Sequence, residues 1–165
     1  MTLNDKFVGF LSVTPNEKFW RLFQRAGVKN VLISYHYIRQ DKGLADKMIK
    51  WVNDEGGLFM TDCGAFSFFN DKSFNGLTFN WEAYLQEYLD WLGQNSKRIF
   101  CAANLDVEKF VGPNTVDKWN KEFESLEKWT NIVYLAHQNV MGGRPLDRLK
   151  YYAEKKKYKY IGVIS

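Results

Sequence analysis

Cysteine, proline and histidine are scarce in this chain, at 2, 3 and 2 of its 165 residues. The two cysteines, Cys63 and Cys101, form neither a CxxC pair nor a regular framework, which excludes a disulfide-built scaffold and fits a reducing compartment. No apolar run approaches the roughly 18 residues of a membrane span, and the start, Met1-Thr2-Leu3-Asn4-Asp5-Lys6, lacks the apolar stretch of a signal peptide. We therefore expect a soluble, cytoplasmic chain. GxGxxG and GxxxxGK(S/T) are missing too, so dinucleotide and P-loop readings have no support, and there is no HxH or HExxH. Charge of one sign is also short: a net +4 permits an anionic partner without identifying one.

What is present is a chain of single-domain length, 45% hydrophobic and unusually rich in aromatic residues, at 17%. Apolar runs of about 4–8 residues alternate with helix-like segments of about 10–16. The expected strands are Phe7–Leu11, Val31–Ser34, Gly57–Thr61, Arg98–Ala103, Ile132–Ala136 and Tyr160–Ile164. The expected helices are Asn16–Arg25, Leu44–Asn53, Trp81–Gln94, Thr115–Lys128 and Leu146–Lys156. In the third helix Trp81, Leu85, Tyr88, Leu89 and Leu92 fall on one stripe, as a helix lying on a sheet requires. Gly27 and Gly56-Gly57 follow helices where a left-handed cap fits, and Asn114 is the expected cap of the fourth.

Helical crossovers between successive strands imply right-handed βαβ units and a parallel sheet. The class is α/β, in one domain spanning residues 1–165. The repeat of roughly 30 residues is that of a (β/α) TIM-type barrel, yet six units fall short of eight, so we expect an incomplete barrel or an open sheet.

Polar residues follow each apolar run: Ser12, His36, Asp62, Asp106, His137 and Ser165. These positions are the carboxyl ends of the strands, the edge where sites form in parallel α/β folds. Asp62 ends Leu58-Phe59-Met60-Thr61-Asp62 and precedes a glycine-bearing turn, Cys63-Gly64-Ala65-Phe66-Ser67. Asp106 ends the next strand; neighbouring strands lie about 4.8 Å apart, so the two carboxylates can share one cavity and divide acid and acceptor roles. The alternative for Asp106 is to cap a short turn at Val107–Phe110. With His36 and His137 the same acids also suit a catalytic metal. The run Lys155-Lys156-Lys157-Tyr158-Lys159 precedes the sixth strand, which places it at the opposite edge as a solvated face.

Phe59-Met60-Thr61-Asp62-Cys63-Gly64-Ala65-Phe66-Ser67, with Asn104-Leu105-Asp106, Tyr134-Leu135-Ala136-His137-Gln138 and Tyr160-Ile161-Gly162 in order after it, resembles the tRNA-guanine transglycosylases. The similarity extends to their phage and bacterial relatives that insert 7-deazaguanines into DNA, over roughly residues 31–165. It implies a barrel enzyme that exchanges a guanine for a deazapurine through a covalent enzyme–sugar intermediate, with no cofactor. By this resemblance Asp62 and Asp106 are the catalytic pair. Asp62 contacts the exchanged base and moves a proton, and Asp106 accepts from the amidine edge. Phe66 stacks on the purine, and Gly162 offers backbone to it. His137, Gln138 and His36 complete the base-binding set.

In the tRNA enzymes the nucleophilic aspartate and the ligands of a structural zinc lie beyond the point matching Ser165. The resemblance thus implies a truncated or split member, completed by a second polypeptide or another copy. Its expected partners are a guanine or 7-deazaguanine base and DNA or tRNA, with no membrane. A purine- or nucleic-acid-binding domain without catalysis, and a metal-dependent hydrolase, stand as alternatives.

Overall fold

The computed structural model describes residues 8–70, 74–137, 145–156 and 158–164. In chain order it forms β1 (Leu11–Ser12), α1 (Glu17–Arg25), β2 (Val31–Ser34), α2 (Tyr35–Ile38), α3 (Lys42–Asp54), β3 (Phe59–Asp62) and α4 (Ala65–Asn70). Then follow α5 (Trp81–Asn95), β4 (Cys101–Ala103), α6 (Glu108–Val111), α7 (Pro113–Glu124), β5 (Asn131–His137), α8 (Pro145–Tyr151), a π-helical turn (Tyr152–Lys156) and β6 (Tyr160–Ile164).

All strands are parallel and lie in sequence order in one six-stranded sheet. When every right-handed crossover steps in the same direction, its helices fall on the same side of the sheet. Burial agrees. Val31, Ile33, Phe59, Thr61, Ala102, Ile132 and Tyr134 share one face by register and are fully buried, whereas on the other Leu32, Met60, Val133 and Leu135 are only half-buried and the smaller Cys101 and Ala103 are buried. The expected parallel α/β sheet is thus present. Among the described residues no helix is long and apolar enough to cross a membrane.

The helix starts follow from their side chains. Asn16, Asp41 and Asn80 each accept an N–H from the first turn of α1, α3 and α5, at 2.9, 2.9 and 3.0 Å. Asn114 does not cap the fourth long helix: Pro113 takes the first helical position, where its missing N–H costs nothing, and Gly112 stands before it. That helix also stops at Glu124, and short turns carry the chain to Thr130. Gly27 and Gly56 end α1 and α3 at φ +70° and +67°, as expected of left-handed caps.

Aromatic side chains fill the space between sheet and helices. Tyr35 meets Tyr84, Tyr88 and Trp91 with ring centroids 5.6, 4.7 and 5.5 Å apart. A second group, Phe68, Phe74, Phe79, Trp81 and Phe110, packs beside the carboxyl ends of β3 and β4.

Past the end of β4 the Asn104 N–H still donates to the Val133 carbonyl at 3.1 Å, and its side chain carries the contact further. Asn104, fully buried, donates its amide to Asn120 at 2.8 Å and accepts the Leu135 N–H at 2.9 Å, tying α7 and β5 to the end of β4. Replacing Asn104 by Ala leaves both groups without partners, at about 1–3 kcal/mol each. We expect a lower urea midpoint with an unchanged m value; an unaltered midpoint would show that water takes over both bonds.

Candidate functional site

Three strand ends meet at the carboxyl edge of the sheet. The register pairs Ser34 of β2 with Asp62 of β3. Beyond Asp62 the chain turns sharply: the Gly64 N–H donates to Asp62 Oδ1 at 2.8 Å, and Ser67 N–H donates to the Gly64 carbonyl at 3.0 Å, opening α4. Gly64 adopts φ +83°, and a Cβ there would stand 2.7 Å from the Cβ of His36 and 2.9 Å from its backbone N. Only glycine fits, because the turn after β3 lies directly on the start of α2.

Asp106 is drawn in from the next strand. It is 1% exposed, and its Oδ1 accepts the Cys63 thiol at 2.6 Å, so the turn after β3 and the segment after β4 are joined side chain to side chain. Asp106 does not cap a turn: α6 starts at Glu108, and Val107 before it makes no side-chain cap bond. Its other oxygen, Oδ2, is buried and has no partner among the described residues. Two phenols on α5 brace this edge from below. Tyr84 donates to the Cys63 carbonyl at 2.7 Å and Tyr88 to the Ala103 carbonyl at 2.9 Å.

Burial governs the protonation of both acids. It pushes Asp106 up to about 7; the charges of Asp62 and Glu108 push the same way, while the thiol bond and a backbone N–H of Asp106 itself oppose. Burial also raises Asp62, against the Ser34 hydroxyl, the Gly64 N–H and the nearby His36 ring. A carboxyl that titrates near 7 is present in both forms at neutral pH, as acid–base chemistry requires.

Asp62, Asp106 and His36 are thus gathered at one place. His36 is half-buried, its ring edge-on to Phe68 at 5.0 Å. Phe66, on the first turn of α4, is 67% exposed, an unusual position for a large ring. His137 ends β5 in register with Ile164, and Gly162 of β6 pairs with Leu135, which sets both on the neighbouring strands of the same sheet. Gln138 and Ser165 lie outside the described residues. Among the described residues no three His, Cys, Asp or Glu side chains form a metal-holding group. Lys159, before β6, lies over the Tyr160 ring at 5.0 Å, at the far edge of the sheet from the acids.

Sequence reasoning missed Cys63 as a donor, Tyr84 and Tyr88 as braces, and the buried Glu108. Tyr88 was visible only as part of an apolar stripe. The signal for a second role was the phenol pair four residues apart on a helix otherwise packed by leucine and tryptophan.

A native proton held up to about 7 against an unfolded value near 3.8 makes the folded state bind the proton more tightly. The stability this contributes is present below the unfolded value and is lost as pH rises through about 7. Relative to Asp106→Asn, the unmodified chain should therefore lose up to about 1.4 kcal/mol per pH unit across that window and no more above it. Denaturation midpoints across a pH series check this, and parallel curves for the two proteins would contradict it.

No family model, curated protein or solved structure matches the chain.

Proposed function

We propose that the chain is the base-binding and proton-transferring part of a guanine base-exchange transglycosylase acting on DNA or tRNA. One observation carries this reading: two carboxyls from adjacent strand ends, the half-buried Asp62 and the buried Asp106, joined through Cys63 in a turn that the exposed Phe66 ring flanks. A guanine edge presents N–H donors, which carboxylate oxygens accept, and its ring offers a face for an aromatic side chain. Six parallel strands in sequence order are what the first six units of a (β/α) barrel supply, which supports a barrel of this type.

In this mechanism Asp106 accepts from the amidine edge through its unpartnered oxygen, while Phe66 stacks on the purine. The bond from the sugar to guanine breaks as a carboxylate nucleophile takes the anomeric carbon, giving an enzyme–sugar ester. Asp62 delivers a proton to the departing guanine. It then takes one from the incoming deazapurine, whose nitrogen attacks the anomeric carbon of the sugar, breaking its bond to the carboxylate and freeing the nucleophile. His36 stands beside Asp62 as its charge partner. His137, Gln138 and the Gly162 backbone complete the base pocket. The nucleophile belongs to a further polypeptide segment, or another copy of the chain, that completes the barrel. A target within duplex has to be flipped out to reach this edge.

Labelled guanine offered with DNA and with tRNA tests the reading, in the presence of the completing segment. Label should enter one polymer, and Asp62→Asn should slow entry by about 10²–10⁴-fold with the fold intact. Equal entry in that variant removes Asp62 from the mechanism. Guanine binding with no label in either polymer identifies a purine-binding domain instead. Phe66→Ala should weaken base affinity by about 1–3 kcal/mol, and unaltered affinity would count against stacking.

A further inference from the structure

We infer that Cys63 is a positioning residue: by donating its thiol proton to Asp106 Oδ1 it fixes the carboxyl plane and leaves Oδ2 as the oxygen presented to a purine N–H. The inference rests on the base-binding reading above and assigns the division of labour within that site.

The geometry leaves the thiol little other use. Cys63 is 1% exposed, flanked in the chain by Asp62 and Gly64, and its carbonyl is held by Tyr84 at 2.7 Å. Burial and the charges of Asp106 and Asp62 push the thiol well above its ordinary range, against a backbone N–H of Asp106, so the proton stays on sulfur and is there to donate. Asp106 then has one oxygen engaged at 2.6 Å and one buried oxygen without a partner. A buried acceptor left bare is unfavourable, and a ligand N–H relieves this on binding. Fixing the carboxyl beforehand also spares the ligand the entropy of orienting it.

The groups that face Asp106 are few and come from different elements. Asp62 on β3 and Glu108 on α6 raise it, and Cys63 lowers it. Glu108 is itself paired with Arg148 of α8 at 2.6 Å, and Asp62 is lowered by the Ser34 hydroxyl, the Gly64 N–H and, least, His36 of α2. The phenols of Tyr84 and Tyr88 on α5 are raised by burial and stay neutral. Among the described residues, Cys63 is thus the side chain that favours ionised Asp106, together with the backbone N–H of Asp106 itself.

The S–H stretching band of the ligand-free protein reads the contact directly. The Cys63 band, assigned by its loss in Cys63→Ser, should move to lower frequency as pH rises through about 7, because ionised Asp106 is the stronger acceptor. In Asp106→Asn it should lie higher and ignore pH. A band unmoved by either change overturns the hydrogen bond.

Guanine titrations across the same pH range read its consequence. Cys63→Ala should weaken binding about tenfold near neutrality and shift the midpoint of the pH profile upward, and Cys63→Ser should restore both. Loss of binding in Asp106→Asn with no change in Cys63→Ala overturns the positioning role and leaves the base-binding reading standing. An unmodified chain that binds no guanine at any pH overturns that reading and the role of Oδ2 together.

Discussion

Burying a carboxyl group at the end of a strand is the constraint around which this molecule is arranged. Asp106 sits 1% exposed with one oxygen bonded to a thiol and the other bare, an arrangement that opposes folding whenever the group is ionised. What holds it there is the convergence of three strand ends. Gly64 lets the turn after β3 lie on α2, that turn sets Cys63 toward β4, and Cys63 reaches Asp106. The contact therefore depends on a residue with no side chain, because any Cβ at Gly64 would meet His36 and move the thiol with it.

The aromatic bias of the sequence serves the same end. Rings of Phe68, Phe79, Trp81 and Tyr84 pack edge to face beneath the turn, and Tyr84 turns its phenol up to the Cys63 carbonyl. Such packing is rigid and dry, which keeps the carboxyls poorly solvated and so raises both above the usual carboxyl range. Phe66 departs from this pattern. It belongs to the same short helix as Phe68, yet one is 67% exposed and the other 6%. Two positions apart on a helix point to different sides, so a single turn supplies both a buried support and an exposed ring.

The repeating architecture was legible because length and composition changed together: Val31–Ser34 and Tyr160–Ile164 form strands with the expected bounds. The first strand, expected over Phe7–Leu11, lies at Leu11–Ser12, and at two later strands a tertiary contact accompanies the moved start. Arg98 is taken up by Asp46 and by the turn at Asn95, so β4 begins only at Cys101. The backbone of Gly57 lies against the Lys29 carbonyl rather than in the ladder, so β3 begins at Phe59. The short helices α2, α4 and α6 are four to six residues long, too few to reveal a period in the sequence. Asp62 and Asp106 could be named from their places at strand ends. The thiol between them could not, since residues 43 apart in sequence meet only once the sheet has formed.

A second buried acid shows how far the site's electrostatics reach. Glu108 follows Asp106 by two residues and is equally buried; its Oε1 accepts from Arg148 at 2.6 Å and from Tyr152 at 3.1 Å. Arg148 also spans to Asp117 of α7 at 2.7 Å and lies over the Tyr152 ring at 4.6 Å. The widened turn that follows α8 carries Tyr152 fully into this group, where Asn120 meets its hydroxyl at 3.4 Å. One guanidinium so compensates two carboxylates, and the one nearer Asp106 is the more deeply buried. Truncating one partner of such a pair typically costs 3–5 kcal/mol because the other is left charged and dry. Glu108, held in this group by Arg148 of α8, is at the same time one of the charges that raise Asp106.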